Sequence, residues 1–279
     1  MVAISFLILN NQKDTHSSNE MFLASVYNNE ENYDDVFSKL TKVEVKPKAK
    51  AGIVSHHFLA KQMIADFYNT IGNNDISTVF LISPNHYNNF YPTGILAYTS
   101  NLTWQTPFGN LLVNSKINNY LIEKKEVKSN DSLLAMEHGI YVEMPFIKKF
   151  FPNAKVVPLA VNMGIGYDDF LLLGKEIREI SDDKSVLIVS SDFSHDLSIE
   201  EAERKDKLSI EVLNNLKDGE LSEANNDCRQ CLAVLQGFLS DNQSYDFNLI
   251  DNKNSFDFSD YKEETVTSYV SGYYTFKEE

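Results

Sequence analysis

Residues 51–86, AGIVSHHFLAKQMIADFYNTIGNNDISTVFLISPNH, decide the fold. Residues 51–55 (AGIVS) read as a buried strand. Residues 58–71 then carry apolar side chains at 59, 63, 67 and 71 and at 60, 64 and 68, which is a helical stripe. Residues 77–83 (STVFLIS) form a continuous apolar run with β-branched residues, as expected of a strand covered on both faces. Strand, helix and strand make a βαβ unit, whose crossover builds a parallel sheet. The pattern returns at 155–161 (KVVPLAV), 167–180 and 185–190 (SVLIVS), again strand, helix, strand. The expectation is an α/β single domain with a central, mostly parallel sheet flanked by helices.

Residues 1–10 (MVAISFLILN) are apolar and fit a first strand, or the remnant of an export signal. Residues 1–20 form an N-terminal strand and irregular segment, and 21–279 form the domain. Residues 95–113, with the turn Thr106-Pro107-Phe108-Gly109, suggest a hairpin. Pro145 marks the start or a kink of a helix. Asp227 stands where it would cap a helix over 228–239, and 264–276 (ETVTSYVSGYYTF) suits a closing strand.

Composition narrows the function. A chain of 279 residues with 43% hydrophobic content, 18 Phe and 14 Tyr can bury a sizeable core. The formal net charge of −15 opposes phosphate backbones and anionic membranes, so no nucleic-acid partner is expected. No segment reaches the ~20 apolar residues of a spanning helix. Two cysteines three positions apart make no disulfide framework. A cytoplasmic location is expected, with export as the alternative if the apolar N-terminus is a signal remnant.

Chemistry gathers at the strand ends. Of six histidines, His56, His86 and His195 each follow an expected strand directly. In open α/β sheets, sites form outside the carboxyl ends of the strands. Imidazole and thiolate are borderline to soft donors suited to iron, copper or zinc. His56 and His86 read as ligands or as capping histidines, and His57 should point elsewhere. Cys228 and Cys231, in CRQC, read as a metal ligand, a redox dithiol or buried apolar cysteines. Asp192 either orients His195 or caps a turn. Glu137 and His138 precede a helix, where His138 faces the pocket or the pair simply caps.

In this order the motifs resemble the MEMO family, also called AmmeMemoRadiSam system protein B, similar in fold to the class III LigB-type extradiol dioxygenases. The resemblance runs from about residue 21 to 273. Residues 53–56 look like the family's I-x-P-H, 82–86 (ISPNH) its LGPSH, and 104–109 (WQTPFG) its W/Y-x-T-P-L-G. Residues 137–146 (EHGIYVEMPF) resemble EHSxExxLPF, and 189–195 (VSSDFSH) resemble VSSDFCH. Two departures stand out: SHHFLAKQM replaces PHAGYxYSG, and Tyr141 stands where the family usually has Glu.

The resemblance implies a metal pocket of His56, His86 and Cys228, with CRQCLAVL needing a gap to meet the family's CGxxPIxxLL. It places His195, Asp192 and His138 as catalytic residues around it. It implies one iron or copper ion, redox or radical-SAM-associated chemistry with a radical-SAM partner, and a small-molecule or peptide ligand in the cleft. Ring-cleaving dioxygenase activity and a non-enzymatic peptide-binding scaffold are the alternatives.

Overall fold

The computed structural model describes residues 21–87, 94–164, 166–216, 220–241, 243–259 and 264–277. The strand expected at 1–10 lies outside them. The strands are β1 (Phe22–Ala24), β2 (Ala51–Val54), β3 (Thr78–Pro84), β4 (Ala97–Thr99), β5 (Thr103–Thr106), β6 (Gly109–Leu111), β7 (Val127–Ser129), β8 (Lys155–Val161), β9 (Ser185–Ser190), β10 (Tyr245–Asn254) and β11 (Ser268–Phe276). The helices are α1 (Asp34–Phe37), α2 (Lys61–Ile71), α3 (Ser115–Glu123), α4 (Asp131–Met136), α5 (His138–Tyr141), α6 (Glu143–Phe150), α7 (Asp168–Ile180), α8 (Ile199–Asn214) and α9 (Arg229–Phe238).

Eight strands form one sheet in the order β10-β11-β2-β9-β3-β8-β4-β7. Its centre, β2-β9-β3-β8, is parallel throughout. On one side β11 pairs antiparallel with β2 and with β10. On the other, β4 runs antiparallel to β8 and parallel to β7. The expected parallel sheet is therefore the middle of a mixed one. A small second sheet, β1-β5-β6, contains the expected hairpin at Thr106–Gly109.

The apolar runs in the central strands follow from burial on both faces. Phe80, Ile82, Leu187 and Val189 face one hydrophobic layer, with residues of α7 and α9. Val79, Leu81, Val186 and Ile188 face the other, with residues of α2 and α6. Each such large side chain, fully buried, contributes about 1.5–3 kcal/mol. Among the described residues no helix is long and apolar enough to cross a membrane.

Helix α9 sits unusually close to α7. A Cβ on Gly174 would meet the Val234 carbonyl oxygen at 2.1 Å, and one on Gly237 would meet that of Leu171 at 2.1 Å. The two glycines let the backbones touch, and this fixes where the N-terminus of α9 arrives at the sheet. That N-terminus carries part of the site.

Candidate metal centre

Three parallel strands deliver polar side chains to one end of the sheet. His56, His86 and Asp192 each lie two residues beyond their strands β2, β3 and β9. Because β2 and β3 both pair with β9, those ends are neighbours. The Glu137–His138 pair enters at the start of α5, and Asp227 enters from the loop before α9.

The side chains converge. Asp227 Oδ2 lies 3.3 Å from His56 Nε2 and 3.9 Å from His86 Nε2. Asp192 Oδ2 lies 3.7 Å from His56 Nε2. The ring centroid of His138 is 4.8 Å from that of His56 and 4.1 Å from that of His86. Two overlapping groups of donors are close enough to share an ion: His56, His86 and His138, and His56, Asp192 and Asp227. His56 is buried, whereas His86 and His138 are partly open, so the cluster is reached from their side.

Each histidine that faces Asp227 through Nε2 is held by its other nitrogen. His86 Nδ1 lies 2.7 Å from Glu137 Oε1, and the His86 backbone N–H donates to Oε2 at 2.9 Å. Glu137 is fully buried and also accepts the Gly139 N–H. This carboxylate orients the ring and leaves the Nε2 lone pair for a ligand role. His56 Nδ1 lies 3.4 Å from Ser190 Oγ. Behind His56 the backbone of Gly139 packs flat: a Cβ there would fall 2.0 Å from Ser83 Oγ and 3.1 Å from His56 Nδ1.

The two aspartates are pinned as firmly. Asp192 Oδ1 accepts from Ser55 Oγ at 2.5 Å and from the His56 N–H at 3.2 Å. Asp227 accepts from Ser191 Oγ and from the Asp192 N–H.

Charge follows this arrangement. Burial alone would lower the pKa of His56, but Asp192 and Asp227 outweigh it and push it up to about 10. His86 is likewise opposed by burial yet raised to about 9 by Asp227 and Glu137. His138 is lowered to about 4, by burial and then by repulsion from His56 and His86. Burial would raise Asp227, but the two histidines hold its carboxyl far below the ordinary range. Without a metal, the cluster stabilises two imidazolium ions around a carboxylate; a bound cation would take their place.

The donor set fits such a cation. Metal–nitrogen and metal–oxygen bonds of ~2.0–2.2 Å place neighbouring donors about 3–3.5 Å apart. The 3.3 Å between Asp227 and His56 falls in that range, while His86, at 3.9 Å from Asp227, stands further out. His56, His86 and Asp227 draw on both of the groups above. Two imidazoles and one carboxylate with room left over is the pattern of non-haem iron(II) sites.

Cys228 is not part of it. Its sulfur is bonded to Cys231, and both residues lie in the hydrophobic layer under α9. A sulfur engaged in a disulfide is not a thiolate donor. Cys228 also takes the helix-capping position expected of Asp227, its sulfur accepting the Cys231 N–H. Asp227 turns to the histidines instead. One sequence signal is available: set without a gap on Asp227 to Gln236, the motif CGxxPIxxLL would put Asp227 at the cysteine's place, with Leu232 and Leu235 at its Ile and first Leu. His195 does not join the cluster either. It is exposed, its Nδ1 held by the Phe193 carbonyl at 2.9 Å, because Asp192, Phe193 and Ser194 all turn inward before it. His57, as expected, points elsewhere, to the Tyr269 hydroxyl at 2.7 Å.

A histidine–carboxylate cluster at the carboxyl ends of a parallel sheet core defines an α/β protein with a candidate metal centre. The chain belongs to the Memo-like protein family, whose profile matches residues 22–272. It is 26% identical over 232 residues to the MEMO1 family protein PAE0818 of Pyrobaculum aerophilum, an alignment covering 78% of this chain and 81% of the relative. It is 31% identical over 150 residues to a MEMO1 family protein of Desulfurococcus amylolyticus, covering half of each chain. A MEMO1 family protein of Aquifex aeolicus is 24% identical over 185 residues, covering 64% of this chain and 66% of the relative.

Proposed function

We propose that this chain is a metal-dependent oxidoreductase of the Memo-like family, with one divalent ion held by His56, His86 and Asp227. The single observation that carries the reading is the shared approach of Asp227 Oδ2 to the Nε2 atoms of both histidines. A redox-active iron would supply Lewis acidity and electron transfer at this point. The oxygen and nitrogen donors favour iron over copper, since the soft sulfur donor is withdrawn.

The chain's own residues do the rest. Glu137 fixes the His86 ring, and Asp192 holds the His56 backbone and stands beside its ring. His138, partly exposed and with its ring beside those of His56 and His86, is the group placed to exchange a proton with a ligand entering the open side. His195, at the surface, is left out of this role.

Ring-cleaving dioxygenase activity is the form of this chemistry that the carboxylate specifically favours, because a carboxylate keeps the ion's donor set free of sulfur where the family motif supplies a thiolate. The test is anaerobic loading with Fe(II), followed by oxygen uptake with catechols. One iron per chain, lost in both His56→Ala and Asp227→Ala, supports the site; catechol-dependent oxygen uptake supports the dioxygenase form. Stoichiometric iron without turnover leaves an oxidoreductase acting on a different ligand. Iron retained by both variants refutes the assignment.

A further inference from the structure

The loop that carries Asp227 is closed, one residue further on, by the Cys228–Cys231 bridge. The sequence separation is three residues. Stabilisation by a disulfide grows with the length of the loop it closes, so a bridge this short does little for the fold as a whole. Its effect is local. The Asp227 backbone N–H donates to the Asp192 carbonyl at 3.0 Å, and the Cys228 N–H to Asn226 Oδ1 at 2.8 Å. Asn226 in turn donates to Ser191 Oγ and to the Asp192 carbonyl. The segment is thus fixed to the end of β9 on one side and to the first turn of α9, by the bridge, on the other.

We propose that the Cys228–Cys231 pair is a thiol–disulfide switch on the metal centre. With the bridge closed, the sulfurs are withdrawn and Asp227 is presented as a hard oxygen donor to His56 and His86. With the bridge open, the first turn of α9 is no longer tied to Cys228, Asp227 is held only by its hydrogen bonds to Ser191 and Asp192, and affinity for hard divalent ions falls. The proposal rests on the reading that these three residues hold the metal. Opening is a two-electron step: two small thiols, or one dithiol, give up two electrons and two protons and leave as a disulfide. The Cys228–Cys231 S–S bond breaks and two S–H bonds form.

The probe is Mn(II), a hard ion that thiols do not reduce, titrated anaerobically into the full chain. The chain is taken as isolated, after dithiothreitol treatment and desalting, and after reoxidation. Alkylation and mass measurement count the free thiols in each sample, and circular dichroism confirms the fold. The expected result is a Kd about tenfold weaker in the reduced form, the size of effect seen when a ligand loses its orientation, and recovery on reoxidation. The Cys228→Ser/Cys231→Ser double variant should bind with the weaker affinity whatever the redox treatment. An unchanged Kd on opening the bridge, or a double variant that binds like the oxidised parent, overturns the switch. A His56→Ala variant that binds Mn(II) like the parent instead overturns the metal reading, and the switch with it.

Discussion

The contact between Gly139 and Ser83 gives a sharp mutational test of how His56 is positioned. A Cβ on Gly139 would sit 2.0 Å from Ser83 Oγ, about 1.5 Å short of the ~3.5 Å at which carbon contacts become comfortable. Rotating the hydroxyl away does not clear the space, because Ser83 Cβ and His56 Nδ1 both remain at 3.1 Å. Ser83 and His56 are buried, so neither can swing into solvent. Overpacking of this severity costs up to about 3 kcal/mol. Helix propensity returns only about 0.5 kcal/mol when Gly becomes Ser. A net loss of up to about 2.5 kcal/mol lowers the melting temperature by as much as roughly 5–10 °C at this chain size.

The motifs suggest the compensating change. ISPNH resembles LGPSH, and EHGIY resembles the start of EHSxE, so the family motifs have Gly at Ser83 and Ser at Gly139. On that resemblance the hydroxyl lies on the opposite side of this contact. Gly139→Ser alone should therefore melt several degrees lower and bind metal more weakly, and Ser83→Gly/Gly139→Ser should recover both. Thermal melts of the four-member cycle should give a favourable coupling of at least about 1 kcal/mol. A Gly139→Ser chain that melts within about 1 °C of the parent, or no rescue by Ser83→Gly, would refute the reasoning.

Two further outcomes follow from the buried carboxyls. Glu143 lies fully buried with neither oxygen in hydrogen-bonding geometry, the Tyr68 hydroxyl facing it, and burial raises its pKa to about 8. An acid held neutral in the folded chain but ionised from ~4.3 when unfolded stabilises fully below that value, and its contribution is lost as pH rises towards 8. Glu143→Gln should therefore gain on the parent between about pH 5 and 8, by up to about 1.4 kcal/mol per unit; parallel denaturation profiles across that range would contradict this. Glu137→Gln keeps the shape of the His86 contact but removes the charge that orients the ring. Metal affinity by titration should fall about 10–100-fold, and an unchanged Kd would mean that Glu137 is only a helix cap.

The parallel centre of the sheet was legible because its strands are buried on both faces and so spell continuous apolar runs; 155–161 and 185–190 match β8 and β9 residue for residue. The long strand β10, YDFNLIDNKN, went unread. It lies at the sheet's edge, no residue in it is fully buried, and its sequence is correspondingly polar. Helix α8 was missed for a related reason: its buried positions are small or polar, Ala202, Asp206 and Ser209, with apolar contact only near its end. In the site, His56 and His86 were readable from their places after strands, and the pocket position of His138 from its motif. Asp227 was not, because an Asp before a helix ordinarily caps it; the cap is taken instead by a neighbouring sulfur, which a one-dimensional pattern does not show.

The central claim is that a metal in this chain is held by nitrogen and oxygen alone. X-ray absorption at the metal edge of the iron-loaded oxidised protein measures that directly. The expected result is a first shell of nitrogen and oxygen scatterers at about 2.0–2.2 Å, altered in Asp227→Ala and equally free of sulfur in Cys228→Ser/Cys231→Ser. A sulfur scatterer near about 2.3 Å, lost when Cys228 is replaced, would make the cysteine the ligand and contradict it.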